Sequence, residues 1–175
     1  KKVKDISFEL HAGEGLGFAG LVGAGRTETM RMIFGADSRK TGRIFLRGQE
    51  IHIHAPQDAI RHGISLVTED RKQEGLLLRQ PVQSNIVMVA LRKVCRHHLI
   101  HYSSVRQAAE KYIQDLRIAT PSANQKAVFL SGGNQQKVVV AKWLFADTQV
   151  VILDEPTRGI DVGAKREIYE IINQL

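Results

Sequence analysis

The strongest constraint on this chain is the eight-residue run Gly20-Leu21-Val22-Gly23-Ala24-Gly25-Arg26-Thr27. It follows an apolar stretch, Gly15 to Ala19, that reads as a buried strand. It precedes a helical pattern carried by Met30, Ile33 and Phe34 and stopped by Gly35. A strand that feeds a helix through a glycine-rich turn belongs to an α/β architecture. The run matches G-x-x-x-x-G-K-[ST], with Arg26 where lysine is expected. Glycines let successive backbone N–H groups turn inward around phosphate oxygens, and the helix N-terminus favours the same anion. Gly20, Gly23, Ala24, Gly25, Arg26, Thr27 and Glu28 are the candidate phosphate contacts, with the Thr27 hydroxyl placed to ligate Mg²⁺. Standing alone, such a run is also an ordinary glycine turn.

Two further segments narrow the reading. Val150-Val151-Ile152-Leu153 is a short apolar strand that ends in Asp154-Glu155-Pro156. In open parallel sheets ligands bind beyond the C-terminal strand ends. Asp154 is therefore a candidate metal ligand and Glu155 a candidate base for an attacking water. Leu130-Ser131-Gly132-Gly133-Asn134-Gln135-Gln136-Lys137 places a serine and two glycines before a helix, a second phosphate-ready helix start. One chain need not offer two such ends to one phosphate, so Ser131, Gly132 and Gly133 fit a nucleotide held by another domain.

The remaining pattern alternates strands and helices. Ile6, Phe8 and Leu10 alternate with polar residues as a half-buried strand, followed by a turn from His11 to Glu14. Gly42 to Leu46 and Gln49 to Ile53 read as strands around Arg47-Gly48, a helix starts at Pro56, and Ile64 to Val67 is a buried strand. From Leu76 to Phe129 the texture is helix and loop: a helix over Val82 to Arg92, then one opened by a Ser104–Gln107 capping box and continued by Val105, Ala109, Tyr112, Ile113 and Leu116. Helices over Gly132 to Ala146 and Val162 to Leu175 complete the chain. The length of 175 residues fits one domain with a small subdomain. The net charge of +7 favours polyanion partners, nucleotide phosphates among them. No apolar run approaches the roughly 20 residues that cross a bilayer, and no secretion leader opens the chain. The opening Lys1 reads as an internal position of a longer protein. Cys95, alone of its kind, cannot form an internal disulfide.

Together these segments resemble the nucleotide-binding domain of ABC transporters over nearly the whole chain. Leu130 to Lys137 resembles the family signature LSGGQ in its LSGGNQQK form, with Asn134 where glutamine usually falls. Asp154-Glu155-Pro156-Thr157 resembles the Walker B motif with its catalytic glutamate, and Gly159-Ile160-Asp161 the D-loop. Thr68-Glu69-Asp70-Arg71-Lys72-Gln73-Glu74-Gly75-Leu76 and Gly20 to Glu28 resemble the second ATPase half of tandem ribose, galactose and xylose importers. The resemblance implies an α/β P-loop NTPase fold: a mainly parallel, RecA-like sheet with an N-terminal antiparallel β portion and a helical subdomain. It implies a core split over 1–75 and 130–175, a helical subdomain over 76–129, and missing adenine-stacking and switch residues. It also implies ATP and Mg²⁺ as ligands. Glu155 and Glu69 take catalytic roles, Thr27, Asp154 and Glu69 metal roles, and Asp161 a nucleotide role. The partners implied are the other ATPase half of the same chain, a membrane permease touched near Glu69 to Asn85, and indirectly a sugar-binding protein, with no nucleic acid. The location implied is peripheral, on the cytoplasmic face of the inner membrane.

Three positions depart from that family's pattern. Arg26 replaces lysine, Glu28 stands where a hydroxyl residue is usual, and Glu69 replaces the Q-loop glutamine. Arginine and lysine are not interchangeable at a close-fitting phosphate site, and two added carboxylates weaken triphosphate binding. These departures favour a slow or binding-only site in this half, whose intact signature serves the partner's ATP. The alternatives are a non-hydrolysing regulatory module and a DNA-associated ABC-type ATPase. The latter carries a long coiled coil, and no sustained heptads lie between Leu76 and Phe129. Cys95, His97, His98 and His101 sit among Arg92, Lys93 and Arg96 and read as a solvated basic helix end rather than a metal site. His52 and His54 share one face of a strand, and Trp143 reads as packing.

Overall fold

The structure is a computed structural model that describes residues 3–174. Lys1 and Leu175, which bound the expected core segments and the expected last helix, lie outside the described residues. The chain divides after His62 into two compact units.

In the first unit, helix α1 (Arg26–Phe34) ends at Gly35 in left-handed conformation. A Cβ at Gly35 would lie 2.8 Å from both the Ala55 backbone and the Ile53 side chain, so only glycine fits there. Strands β1 (Ile44–Leu46) and β2 (Gln49–Ile51) form an antiparallel hairpin. Its two turn residues, Arg47 and Gly48, both have positive φ, which matches the right-handed strand twist. Ile51 and Ile53 are buried while His52 and His54 face outward with stacked rings, as their period of two requires. Pro56 opens α2 (Pro56–Arg61). The Asp58 carboxylate accepts the N–H groups of His54 and Ala55, each at 3.1 Å. The His54 hydrogen bond is the main cause holding that carboxyl below its usual range.

The strands expected at Ile6–Leu10 and Gly15–Ala19 do not form as regular ladders. The two segments meet through an edge-on Phe8–Phe18 contact at 5.0 Å and through the His11 N–H on the Glu14 carboxylate. Ile6, Phe8, Leu10 and Leu16 stay exposed. Alternation assigns side chains to faces, but a strand exists only where a ladder partner takes its backbone groups.

The second unit is organised by a parallel pair, β3 (Ile64–Val67) and β6 (Val150–Leu153), in register Ile64↔Val150 to Val67↔Leu153. All four β3 residues are buried, as expected of a strand covered on both faces. Helix α5 (Gly132–Phe145) packs against β3, α3 (Val82–Val87) and α4 (Tyr102–Asp115), and α6 (Val162–Ile172) packs on α5. The helix expected over Val82 to Arg92 breaks after Val87. Residues Met88–Val94 continue as 3₁₀ turns, with Ala90 outside helical geometry. No Gly or Pro causes this. Packing against α5 overrides propensity, and the Lys93 ammonium closes onto the Phe145 carbonyl at 2.6 Å.

Arg96 to His98 do not end a helix but form the tip of a hairpin between β4 (Cys95–Arg96) and β5 (Leu99–Ile100), with His97 and His98 at positive φ. The expected capping box at Ser104 is also displaced. Helix α4 starts at Tyr102 after His101, and Ser104 lies in its first turn with its hydroxyl on His101 Nδ1 at 2.9 Å. The imidazole thus engages the hydroxyl that the sequence assigns to the cap.

Lys142 lies within α5, 5% exposed, its ammonium donating to the Gly75 carbonyl at 2.8 Å. Burial pushes its pKa down from 10.5 to about 8. Between those values the unfolded chain binds the extra proton, so stability rises as pH climbs through the window. The span corresponds to on the order of 3 kcal/mol. Denaturant melts at pH 7.5 and pH 10 should show wild type gaining stability relative to Lys142→Met. An unchanged difference would show that Lys142 does not titrate in this range.

Candidate functional site

The glycine loop lies in the first unit. Leu21 to Ala24 close a tight turn, with the Ala24 N–H on the Leu21 carbonyl at 3.0 Å. Gly23 and Gly25 have φ of 81° and 95°, and Gly25 is the N-cap of α1. A Cβ at Gly23 would meet nothing within 4 Å, so the requirement there is backbone conformation and open approach rather than packing. The first helical hydrogen bond runs from the Thr29 N–H to the Gly25 carbonyl at 2.9 Å. Arg26, Thr27 and Glu28 form the first turn of that helix, the end that favours an anion. The Thr29 hydroxyl is turned back onto the Gly25 carbonyl at 2.7 Å and is buried. Thr27 is only half-buried, and Leu21 and Val22 are exposed. The loop fits a phosphate group by its donors and its conformation.

The acidic end of β6 lies in the second unit. The Asp154 N–H donates to the Val67 carbonyl at 2.9 Å, extending the parallel ladder to the end of the strand. Glu155 follows with φ of 48°, a left-handed conformation rare for a non-glycine residue. Such conformations concentrate at functional sites. The Arg158 N–H on the Glu155 carbonyl at 2.9 Å closes the turn. At the end of β3, the buried Thr68 hydroxyl has no hydrogen-bond partner among the described residues. It lies toward Gly75, 3.7 Å from where a Cβ there would stand. Glu69 lies against Arg158.

Ser131 caps α5. Its hydroxyl accepts the Asn134 side-chain N–H at 2.9 Å and the Asn134 backbone N–H at 3.4 Å. Asn134 Oδ1 accepts the Ala119 N–H at 2.8 Å. The residue at the unusual signature position thus fixes the Ser131 hydroxyl and ties it to the loop after α4. Gly132 and Gly133 need to be glycine for packing reasons. A Cβ on Gly133 would lie 2.5 Å from Ala164 Cβ of α6, and one on Gly132 would lie 2.7 Å from an Arg71 guanidinium nitrogen. Asp161 caps α6, its carboxylate accepting the Ala164 N–H at 2.9 Å.

The second unit therefore brings Glu69, Ser131–Gly133, Asp154, Glu155 and Asp161 onto neighbouring loops around α5, while Gly20 to Glu28 form a phosphate-ready loop in the first unit. Sequence reasoning gave Arg71 no role, yet it is buried, with its guanidinium on the carbonyls of Arg158 and Gly159. A charged residue in a polar run carries no sequence signal that it will be buried. Among the described residues, no cluster of three His, Cys, Asp or Glu side chains is placed to hold a metal.

A family model described as ABC transporter matches residues 3–158. The chain is 51% identical over its whole length to the xylose import ATP-binding protein XylG of Thermoanaerobacter pseudethanolicus, covering 35% of that protein. It is 49% identical over 98% of its length to the ribose import ATP-binding protein RbsA of Lacticaseibacillus paracasei, covering 34% of it. The chain thus spans about a third of the length of these relatives. Among solved structures, a dimeric ATP-binding cassette in a post-hydrolysis state bound to ADP and Pi superposes with a TM-score of 0.79. It is 19% identical, over 98% of this chain and 73% of that one. A nucleotide-free ATP-binding cassette of an ABC transporter gives 0.68 at 19% identity, over 87% of this chain and 62% of that one. At this identity the likeness is one of fold.

The Gly133–Ala164 approach gives a direct test of the signature packing. Gly133→Ala forces α5 and α6 apart and should cost about 1–3 kcal/mol in denaturant melts. Ala164→Gly in the same background should recover part of that loss. Additive losses in the double variant would show that the two positions do not touch.

Proposed function

The chain belongs to the ABC transporter family, and from that premise we propose that it is the second ATP-binding half of a tandem importer for a sugar. The observation that carries the reading is the end of β6, where Asp154 and Glu155 leave a parallel ladder held by the Asp154 N–H on Val67. In this reading Gly20 to Thr27 donate backbone N–H groups to the phosphates and Arg26 neutralises their charge. Thr27 would be the Mg²⁺ ligand offered by the glycine loop and Asp154 the one offered by the end of β6, and the metal would supply charge compensation at the phosphates. Glu155 orients a water molecule and takes its proton. Residues 1–75 and 130–175 act as the ATP-binding core, and 76–129 as a helical subdomain.

The site of this half is slow, and its Ser131–Gly133 edge completes the site of the partner half. Arg26, Glu28 and Glu69 support this, because each departs from the family pattern at the phosphates. The fixed hydroxyl of Ser131 supports the second part. A stretch with exposed Lys72, Gln73, Leu77, Arg79 and Gln80 serves the permease contact. Among the described residues no helix is long and apolar enough to cross a membrane, which fits a peripheral place on the cytoplasmic face beside that permease. The sugar reaches the system through a separate binding protein.

The test is ATP turnover by the full-length protein with its permease. Glu155→Gln should leave turnover within about twofold of wild type, and Ser131→Arg should lower it about tenfold or more. Near-complete loss with Glu155→Gln would make this half's own site catalytic. Intact turnover in Ser131→Arg with loss in Arg26→Ala would reverse the assignment of the two sites. ATP binding with no turnover in the wild-type assembly would favour a regulatory module.

A further inference from the structure

Arg71 is 8% exposed, yet it belongs to neither a strand nor a regular helix. It opens a π-helical turn, Arg71–Gly75, launched by the Asp70 carboxylate, which accepts the N–H groups of Lys72 and Gln73. One terminal guanidinium nitrogen donates to the Arg158 carbonyl at 2.8 Å and the other to the Gly159 carbonyl at 3.2 Å. A Cβ on Gly132 would stand 2.7 Å from that second nitrogen and 3.3 Å from the Gly159 carbonyl oxygen. The guanidinium is thus wedged between two consecutive carbonyls of the turn after Glu155 and the first residue of α5. At the far end of the same turn, the Gly75 carbonyl accepts the Lys142 ammonium of α5 at 2.8 Å.

Stability alone does not account for this arrangement. The Arg71 Nε is buried with no hydrogen-bond partner among the described residues, and an unsatisfied buried donor costs about 1–3 kcal/mol. An apolar side chain of similar volume would fill the space but leave the Arg158 and Gly159 carbonyls without these donors. What arginine supplies and an apolar residue does not is a planar fork that fixes two carbonyls at once.

We propose that Arg71 is a positioning residue that locks the Glu155–Asp161 turn to the Ser131–Gly133 start of α5, so that the two move as one body. A shift of the turn when nucleotide binds or is cleaved then reaches Ser131, and through it the nucleotide on the partner half. The delivery to nucleotide rests on the function proposed above, whereas the mechanical lock does not.

Arg71→Met and Arg71→Lys, made in the full-length protein with its permease, test both parts. Hydrogen exchange reads the lock: both variants should raise exchange in segments 157–162 and 132–137 about fivefold or more. Exchange changes confined to 71–75 would overturn the lock. Turnover reads its consequence: kcat should fall about tenfold in Arg71→Met and about threefold in Arg71→Lys, with KM for ATP and the melting temperature nearly unchanged. Turnover within about twofold of wild type in Arg71→Met, or a kcat loss matched by a fall in melting temperature, would overturn the functional part. Absence of turnover in the wild-type assembly would instead sink the underlying ATPase reading, and the exchange measurement would then decide the role of Arg71 by itself.

Discussion

The second unit depends on one helix being buried on nearly every side. Of the residues of α5, Gly133 and the run from Gln135 to Trp143 are all buried, polar and apolar alike. Val138, Val139, Val140, Ala141 and Trp143 supply the apolar contacts. The polar members are lashings. Gln135 Nε2 donates to the Ala127 carbonyl at 3.1 Å, Lys137 to the Arg117 carbonyl at 2.9 Å, and Lys142 to the Gly75 carbonyl at 2.8 Å. Lys137 also meets the Glu167 carboxylate of α6 at 2.7 Å. Each bond reaches a different segment, and each breaks at the cost of a buried donor. The helix that begins with the signature residues is thereby also the part that holds the loop after α4, the loop before α5 and the turn before α3.

A second organising feature lies at the other side of that helix. Asn85, fully buried, receives the Leu77 N–H on its side-chain oxygen at 2.8 Å. Its amide nitrogen donates to the carbonyls of Leu77 and Pro81 at 3.1 Å and 3.0 Å. The segment from Leu77 to Pro81 forms no strand, and this amide holds it together with the Ala127 and Val128 N–H groups on the Gln80 and Leu78 carbonyls and a bridge from Pro81 to Lys126. Its exposed residues, Leu77, Arg79 and Gln80, are presented from a fixed backbone. Together with the Arg71 fork and the Lys142 tie, this makes the stretch from Glu69 to Asn85 a loop with anchored ends rather than a free connection.

Several sequence readings translate directly into the structure because they depend on local rules. Gly35 stops α1, the Arg47-Gly48 pair turns the β1–β2 hairpin, Pro56 opens α2, and Ser131 caps α5. Each is a matter of φ preference or of one side chain meeting a helix end. The readings that fail, at Ile6–Leu10, Gly15–Ala19, Met88–Arg92 and Ser104, are those where a distant partner decides. Alternating apolar residues do not name the strand that will pair with them, and a good helix-forming run does not show the packing that will bend it.

The candidate site divides the same way. The sequence by itself determined which chemical groups are available and in what order: the glycine loop before α1, the Ser131–Gly133 helix start, and two carboxylates at a strand end. These follow from residue type and spacing, because phosphate and metal chemistry demand particular donors at particular separations. Only the tertiary structure decided what those groups lean on. It placed Glu69 against Arg158, Asn134 against the Ser131 hydroxyl, Ala164 against Gly133, and the Arg71 fork between Gly132 and the Arg158 and Gly159 carbonyls. Those pairs are far apart in the chain or fixed by close approach, and the Gly133–Ala164 and Arg71 contacts depend on burial. Burial is a property of the whole packed unit and is written in no single stretch of residues.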